Sequence, residues 1–213
     1  MKALMCAAVS ALVLSACASA PATEYHRLPD AAYRLPSNQK PSVVLKVVLA
    51  EPLKGNALLY QTDAHTLHFA KQHLWAQPLD LAVRNQLANA LNQRGSAWRF
   101  VPAELKSSEQ ELVVYIENFN GRYDGATQID GYTAWRDHGK TTAGRNFSVT
   151  TPQQGDGYNA MVESLSAGLQ QVATEILPSS LYTPFIKRPV NALNIYRPLL
   201  TLCRAYSFSW KKS

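Results

Sequence analysis

The order in which apolar and polar residues follow one another divides the middle of the chain into strands and two helices. Residues 42–50 (SVVLKVVLA) form a short, β-branched apolar run, the pattern of a strand buried on at least one face. ALLYQT and TLHFA flank Asp63, Ala64 and His65, which predicts a hairpin connection. Trp98 to Val101 reads as a short strand, and ELVVYIENF as a longer one with Leu112, Val114 and Ile116 facing one way and Val113 and Tyr115 the other. QIDGYTAWRDH and AGRNFSVTT, joined across Gly139 and Lys140, predict an antiparallel hairpin.

Helical spacing occurs twice. Val83, Leu87, Ala90 and Leu91 line one face of a first helix; Asp80, in the preceding LWAQPLD, is placed to cap its start, and Gly95 to close it in a left-handed conformation. Met161, Val162, Leu165, Leu169, Val172 and Ile176 follow i, i+3, i+4 spacing in a second helix, opened by Gly155, Asp156 and Gly157 with Asp156 as its cap. Strands, helix, strands, helix predict an α+β fold: a two-layer domain, a mainly antiparallel sheet with two helices packed on it.

The two ends read differently. Lys2 and the apolar run from Ala3 to Leu14, followed by Ser15, Ala16 and Cys17, form a secretory leader over residues 1–16, too short for a spanning helix. Leu, two small residues and Cys resemble the bacterial lipobox, which implies that Cys17 is the lipid attachment site. Two or three acyl chains at about 0.8 kcal/mol per buried methylene would make attachment effectively permanent. Residue 18 is Ala rather than Asp, which under the sorting rule for such signals points to the outer membrane. Residues 17–40, with Pro21, Pro29 and Pro36 and no periodicity, read as the acylated Cys and a tether; residues 41–177 form the domain.

Charge sharpens this division. The 213 residues carry a formal net charge of +6, and all of it lies in residues 178–213, where Lys187, Arg188, Arg197, Arg204, Lys211 and Lys212 meet no Asp or Glu. The body is nearly neutral, so nucleic acid is not an expected partner. The tail, interrupted by Pro178, Pro184, Pro189 and Pro198, reads as a basic, unstructured extension, with contact of its cations and aromatics to anionic lipid headgroups as the alternative.

Reactive constellations are scarce. Gly139, Lys140 and Thr141 read GKT, but position 134 is Ala where a phosphate-binding loop needs Gly, and the segment lies between strands. There is no G-x-S-x-G and no H-E-x-x-H; His26, His73 and His138 have no evident partners, and His65 and His68 would face opposite sides of a strand. No catalytic residue, cofactor or metal site is expected. Trp75 and Trp135 read as core aromatics, with a ligand groove as the alternative.

The lipobox ending at Cys17, the YRLP of Tyr33 to Pro36, LWAQPLD, FNGRYDG from Phe119 to Gly125, and Gly155, Asp156, Gly157 and Tyr158 together resemble the ABC-type transport auxiliary lipoproteins. The resemblance covers residues 14–177 and implies a non-enzymatic lipoprotein of the outer membrane, facing the periplasm. Such a protein would dock the periplasm-spanning MCE-domain subunit of an intermembrane phospholipid transport system and support envelope integrity. A homo-oligomeric ring would suit the end of a symmetric tube. Trp75, Pro78, Arg122, Tyr123 and Asp124 are the candidate partner contacts, with turn and helix-start formation as the competing reading of both stretches. The alternative functions are a periplasm-facing carrier that itself binds a phospholipid, and a cell-envelope hydrolase, for which no nucleophile and base are found.

Overall fold

The computed structural model describes residues 21–105 and 108–177; the leader, Cys17 and the tail 178–213 lie outside the described residues. Its elements are β1 (Glu24–His26), β2 (Ser42–Leu49), β3 (Ala57–Gln61), β4 (Leu67–Trp75), α1 (Leu79–Gln93), β5 (Arg99–Pro102), β6 (Gln110–Gly121), β7 (Ala126–Asp137), β8 (Lys140–Pro152) and α2 (Gly157–Ile176). A single 3₁₀ turn, Glu51–Leu53, interrupts the link from β2 to β3.

The predicted α+β class holds, and the sheet is mixed. Long antiparallel ladders join β6 to β7 and β7 to β8, and a shorter one joins β3 to β4. Four further pairings are parallel: β1 with β4, β2 with β5, β2 with β6, and β3 with β6. The parallel links of β2 and β3 to β5 and β6 follow from chain order, because α1 and the connections around it carry the chain across the sheet before β5 and β6 return.

β6 organises the sheet. Along one edge it meets β7 throughout; along the other, its first half pairs with β2 from Val44↔Glu111 to Leu49↔Ile116, and its far end with β3 at Tyr60↔Gly121. The sheet therefore forks, with β5 beyond β2 on one arm and β4 and β1 beyond β3 on the other. At the fork β6 carries a bulge between Ile116 and Asn118.

The period-of-two expectation for β6 holds: Leu112, Val114 and Ile116 join the core, while Tyr115 stacks on Tyr132 on the other face, centroids 4.5 Å apart. Both helices lie on the core side, α1 over β2 and β5 and α2 over β7 and β8, and they touch each other. Gln86 of α1 donates to the Ser166 hydroxyl of α2 at 2.6 Å, and the Arg94 guanidinium donates to the Thr174 hydroxyl at 2.8 Å. All six residues of the expected α2 stripe are buried. Gly168 lets α2 approach the sheet closely: a Cβ there would lie 2.9 Å from Ile129 Cδ1.

Several local expectations are corrected. Pro78, not Asp80, occupies the N-cap position of α1; Asp80 sits in the first turn, where a carboxylate favours the positive end of the helix dipole. Asp156 does occupy the N-cap position of α2, with extended backbone, but makes no capping side-chain hydrogen bond. Gly95 has φ +71 and follows α1 as expected, and the β7–β8 turn carries positive φ at His138 (51°) and Gly139 (76°), the twist a tight hairpin needs.

The tether expectation fails over its middle. Glu24–His26 pairs with β4, Leu28 and Ala31 are buried, and the Tyr33 hydroxyl donates to the Phe100 carbonyl at 3.1 Å. Asn89 fastens this stretch through three hydrogen bonds to the backbone of Asp30, Ala32 and Arg34. Prolines here shape an extended wrap around α1 rather than a free linker.

Candidate functional site

At the fork, the chain leaves the edge of β6 after Leu49, makes the 3₁₀ turn with Pro52 in its first positions, and returns at Ala57. Leu53 turns inward and is 2 % exposed, which pins the excursion to the core. LWAQPLD faces it across a groove. The Trp75 amide donates to the Asn56 carbonyl at 2.6 Å and the Ala76 amide to the His26 carbonyl at 2.8 Å, so the segment is held between β3 and β1. Pro78 then fixes the backbone for the start of α1. The groove has a volume of about 660 Å³, within the range of ~300–1,000 Å³ common for binding clefts. Val48 and Pro78 contribute apolar lining, and Lys54, Asn56 and Asp80 contribute polar groups. Val48 is 42 % exposed, a large aliphatic side chain open to solvent.

The expected contact residues divide accordingly. Pro78 is exposed and lines the groove. Trp75 is a core side chain, as its aromatic reading expects: it is 5 % exposed, with its ring 6.0 Å from that of Phe119. Trp135 packs beside Phe100. Arg122, Tyr123 and Asp124 form the turn between β6 and β7, closed by Gly125 at φ +78. That turn follows Gly121, which pairs with Tyr60, whereas Leu74 pairs with Ala57. The two stretches thus extend from different ends of β3 and do not merge into one surface.

Within the turn, the Arg122 guanidinium grips Asp124 through Nε at 3.1 Å and Nη2 at 2.7 Å, and Nη1 donates to Gln128. Hydrogen bonding from Arg122 holds the Asp124 carboxyl below the ordinary aspartate range, and the same contact raises Arg122. Tyr123 is left 56 % exposed beside this closed pair. Because the folded-state pKa of Asp124 is depressed, the pair is intact above the ordinary aspartate value and is lost as pH falls through the lowered one. An NMR titration of the Asp124 carboxyl should therefore show a midpoint below that of an unstructured Asp, and Arg122→Gln should bring it back up.

A second cluster lies where β1 meets β4. Alternation puts Glu24 and His26 on one face of β1, and the register sets Glu24 opposite His73. His26 Nε2 is 3.1 Å from His73 Nδ1, and Glu24 Oε2 lies 3.6 Å from His73 Nδ1 and 4.0 Å from His26 Nε2. His26 Nδ1 donates to the Asn159 side-chain carbonyl at 3.1 Å, since that oxygen only accepts. The His73 ring stacks on Tyr158, centroids 3.8 Å apart, and burial pushes the Tyr158 phenol up. The expectation that these histidines lack partners is thus corrected, and His138 is corrected too: it contacts Glu109 at 2.8 Å and Asp137 at 2.9 Å.

The family described as ABC-type transport auxiliary lipoprotein component matches residues 27–177, from the turn after β1 to the end of α2. The chain belongs to that family. The intermembrane transport lipoprotein PqiC of Escherichia coli K12 is 34 % identical over 133 residues, 62 % of this chain and 71 % of that protein, and the PqiC of Shigella flexneri matches equally. A crystal structure of an uncharacterized protein, 33 % identical, superposes with a TM-score of 0.63 and covers 73 % of this chain and 97 % of its own. A protein from Xanthomonas campestris shares the fold at 19 % identity, with a TM-score of 0.57 over 72 % of this chain and 92 % of its own.

This auxiliary lipoprotein is thus a component of a transport system rather than a member of an enzyme family. Among its described residues no helix is long and apolar enough to cross a membrane. Gly139, Lys140 and Thr141 lie in the β7–β8 hairpin, where no helix start presents amides to a phosphate. Sequence reasoning missed the His26–His73 cluster because its members are 47 residues apart and one lies on a strand read as tether. The usable signal was the pair of ring nitrogens flanked by Tyr158 and Asn159, which only the parallel β1–β4 register makes visible.

Proposed function

We propose that this auxiliary lipoprotein is fixed to the outer membrane through acylated Cys17, faces the periplasm, and uses the groove at the fork to dock the MCE-domain subunit of an intermembrane phospholipid transport system. It works without catalysis, as a fixed receiver for the periplasm-spanning subunit, and so supports envelope integrity; a symmetric ring of copies would match the end of a tube. The observation that carries this reading is the open groove beside LWAQPLD, with Val48 exposed in its wall, in a chain whose named relatives are intermembrane transport lipoproteins. Mixed apolar and polar lining suits a protein segment, which brings both backbone polar groups and side chains, better than acyl chains alone.

The test is affinity isolation of the acylated protein from crosslinked envelope membranes. An MCE-domain protein should be recovered with the wild type and lost with Val48→Arg, whose exposed site leaves the melting temperature unchanged. Tyr123→Ser should retain most capture, since the turn lies away from the groove. Capture lost in Tyr123→Ser but kept in Val48→Arg would move the docking surface to the β6–β7 turn. Phospholipid recovered with the protein, and no MCE protein, would favour the carrier instead.

A further inference from the structure

We propose that Glu24, His26 and His73 form a binding site for one divalent transition-metal ion of the zinc class, which staples β1 to the body of the domain. Their three ligand atoms are separated by 3.1, 3.6 and 4.0 Å. One point in the plane of those atoms lies about 2.1 Å from each, the distance at which zinc holds imidazole nitrogen and carboxylate oxygen. Tetrahedral placement shortens the ligand separations to about 3.3–3.4 Å on average. Only the edges to Glu24 must close, and its side chain is 63 % exposed and free to move.

The supporting contacts match what a metal needs. His26 Nδ1 donates to Asn159, which leaves the Nε2 lone pair facing the site, and a carbonyl behind a ligating imidazole fixes its tautomer and ring orientation. His73 is held flat against Tyr158. Two imidazoles with one carboxylate are a set that zinc-like ions prefer over calcium or magnesium, and the exposed side at Glu24 leaves a fourth position for water. His138 is the contrast: its two carboxylates address opposite ring nitrogens, so they cannot share an ion with it. Two ligands come from β1 and the third from β4, so the ion would bridge the edge strand nearest in sequence to Cys17.

The test titrates the untagged full-length lipoprotein, in detergent and stripped with chelator, with zinc against a chromophoric competitor, and with cobalt for its visible spectrum. The wild type and His138→Gln should take up one ion per chain, with the strong visible absorption of four-coordinate cobalt. Glu24→Gln, at an exposed site that leaves the fold unchanged, should bind about tenfold more weakly, and His73→Gln about a hundredfold. Zinc should slow hydrogen exchange of the β1 amides in the wild type only. Equal binding by the wild type and Glu24→Gln, or a weak six-coordinate cobalt spectrum, would overturn the proposal.

Discussion

Gly131→Ala is expected to destabilise this domain by about 3 kcal/mol or more. Gly131 pairs with Ile116 beside the bulge of β6, and a Cβ there would lie 1.9 Å from the Tyr115 carbonyl oxygen, 3.0 Å from its carbon and 2.8 Å from Phe147 Cζ. A flexible side chain could step aside, but a backbone carbonyl in the middle of β6, the strand that organises the sheet, cannot do so without opening the β6–β7 ladder. Overpacking of a tight core costs about 1–3 kcal/mol and more where backbone must move, so about 3 kcal/mol is the lower bound. For a domain of this size that lowers the melting midpoint by about 6–12 °C. Gly55→Ala is the control: nothing lies within 4 Å of its Cβ, and its midpoint should stay close to wild type. Circular dichroism melts of both decide the matter, and a wild-type midpoint for Gly131→Ala would mean that β6 yields at the bulge.

Asn89→Ala is expected to loosen the N-terminal wrap and lower global stability together. Asn89 is 4 % exposed; its oxygen accepts from the Arg34 amide at 2.9 Å, and its nitrogen donates to the carbonyls of Asp30 at 3.1 Å and Ala32 at 2.8 Å. Each hydrogen bond contributes about 1 kcal/mol net, and groups left unpaired cost more, so the total is about 3 kcal/mol. Neighbouring Asn85 still holds the Ala31 carbonyl, which keeps the strip attached at one point. Hydrogen exchange should therefore show the Arg34 amide losing protection by more than the drop in global stability explains. Loss of protection spread evenly over α1 and the sheet, with Arg34 no worse than the rest, would refute a local clamp.

How much of this was legible in the sequence depends on the range of the interaction. The alternation in β6, the helical stripe of α2, the left-handed Gly95 and the β7–β8 turn are all set by residues within a few positions of one another, and all stand in the structure. β1 was invisible because it has three residues, no alternation long enough to register, and a parallel partner 49 positions away. The mixed sheet was hidden for the same reason, since parallel register is decided by tertiary packing. Trp75 carries two readings in the sequence, core aromatic and partner contact, and what favours the first is long-range: Phe119, 44 positions away, lies beneath its ring. Asp80 and Asp156 sit where a helix start expects a capping side chain, but neither carboxylate makes a capping hydrogen bond.

The fork also sets an order of assembly. β6, β7 and β8 are consecutive and joined by tight turns, so their ladders close small loops, whereas β2 reaches β6 only by closing a loop of more than sixty residues. Loop-closure entropy alone separates the two by about 2–3 kcal/mol, which puts the three-stranded meander ahead of the parallel arms during folding. Until β2 and β3 arrive, the far edge of β6 presents Leu112 to Ile116, an apolar strand with bare amides and carbonyls. That interval is when a newly made chain is most prone to pair with a second copy instead of with itself.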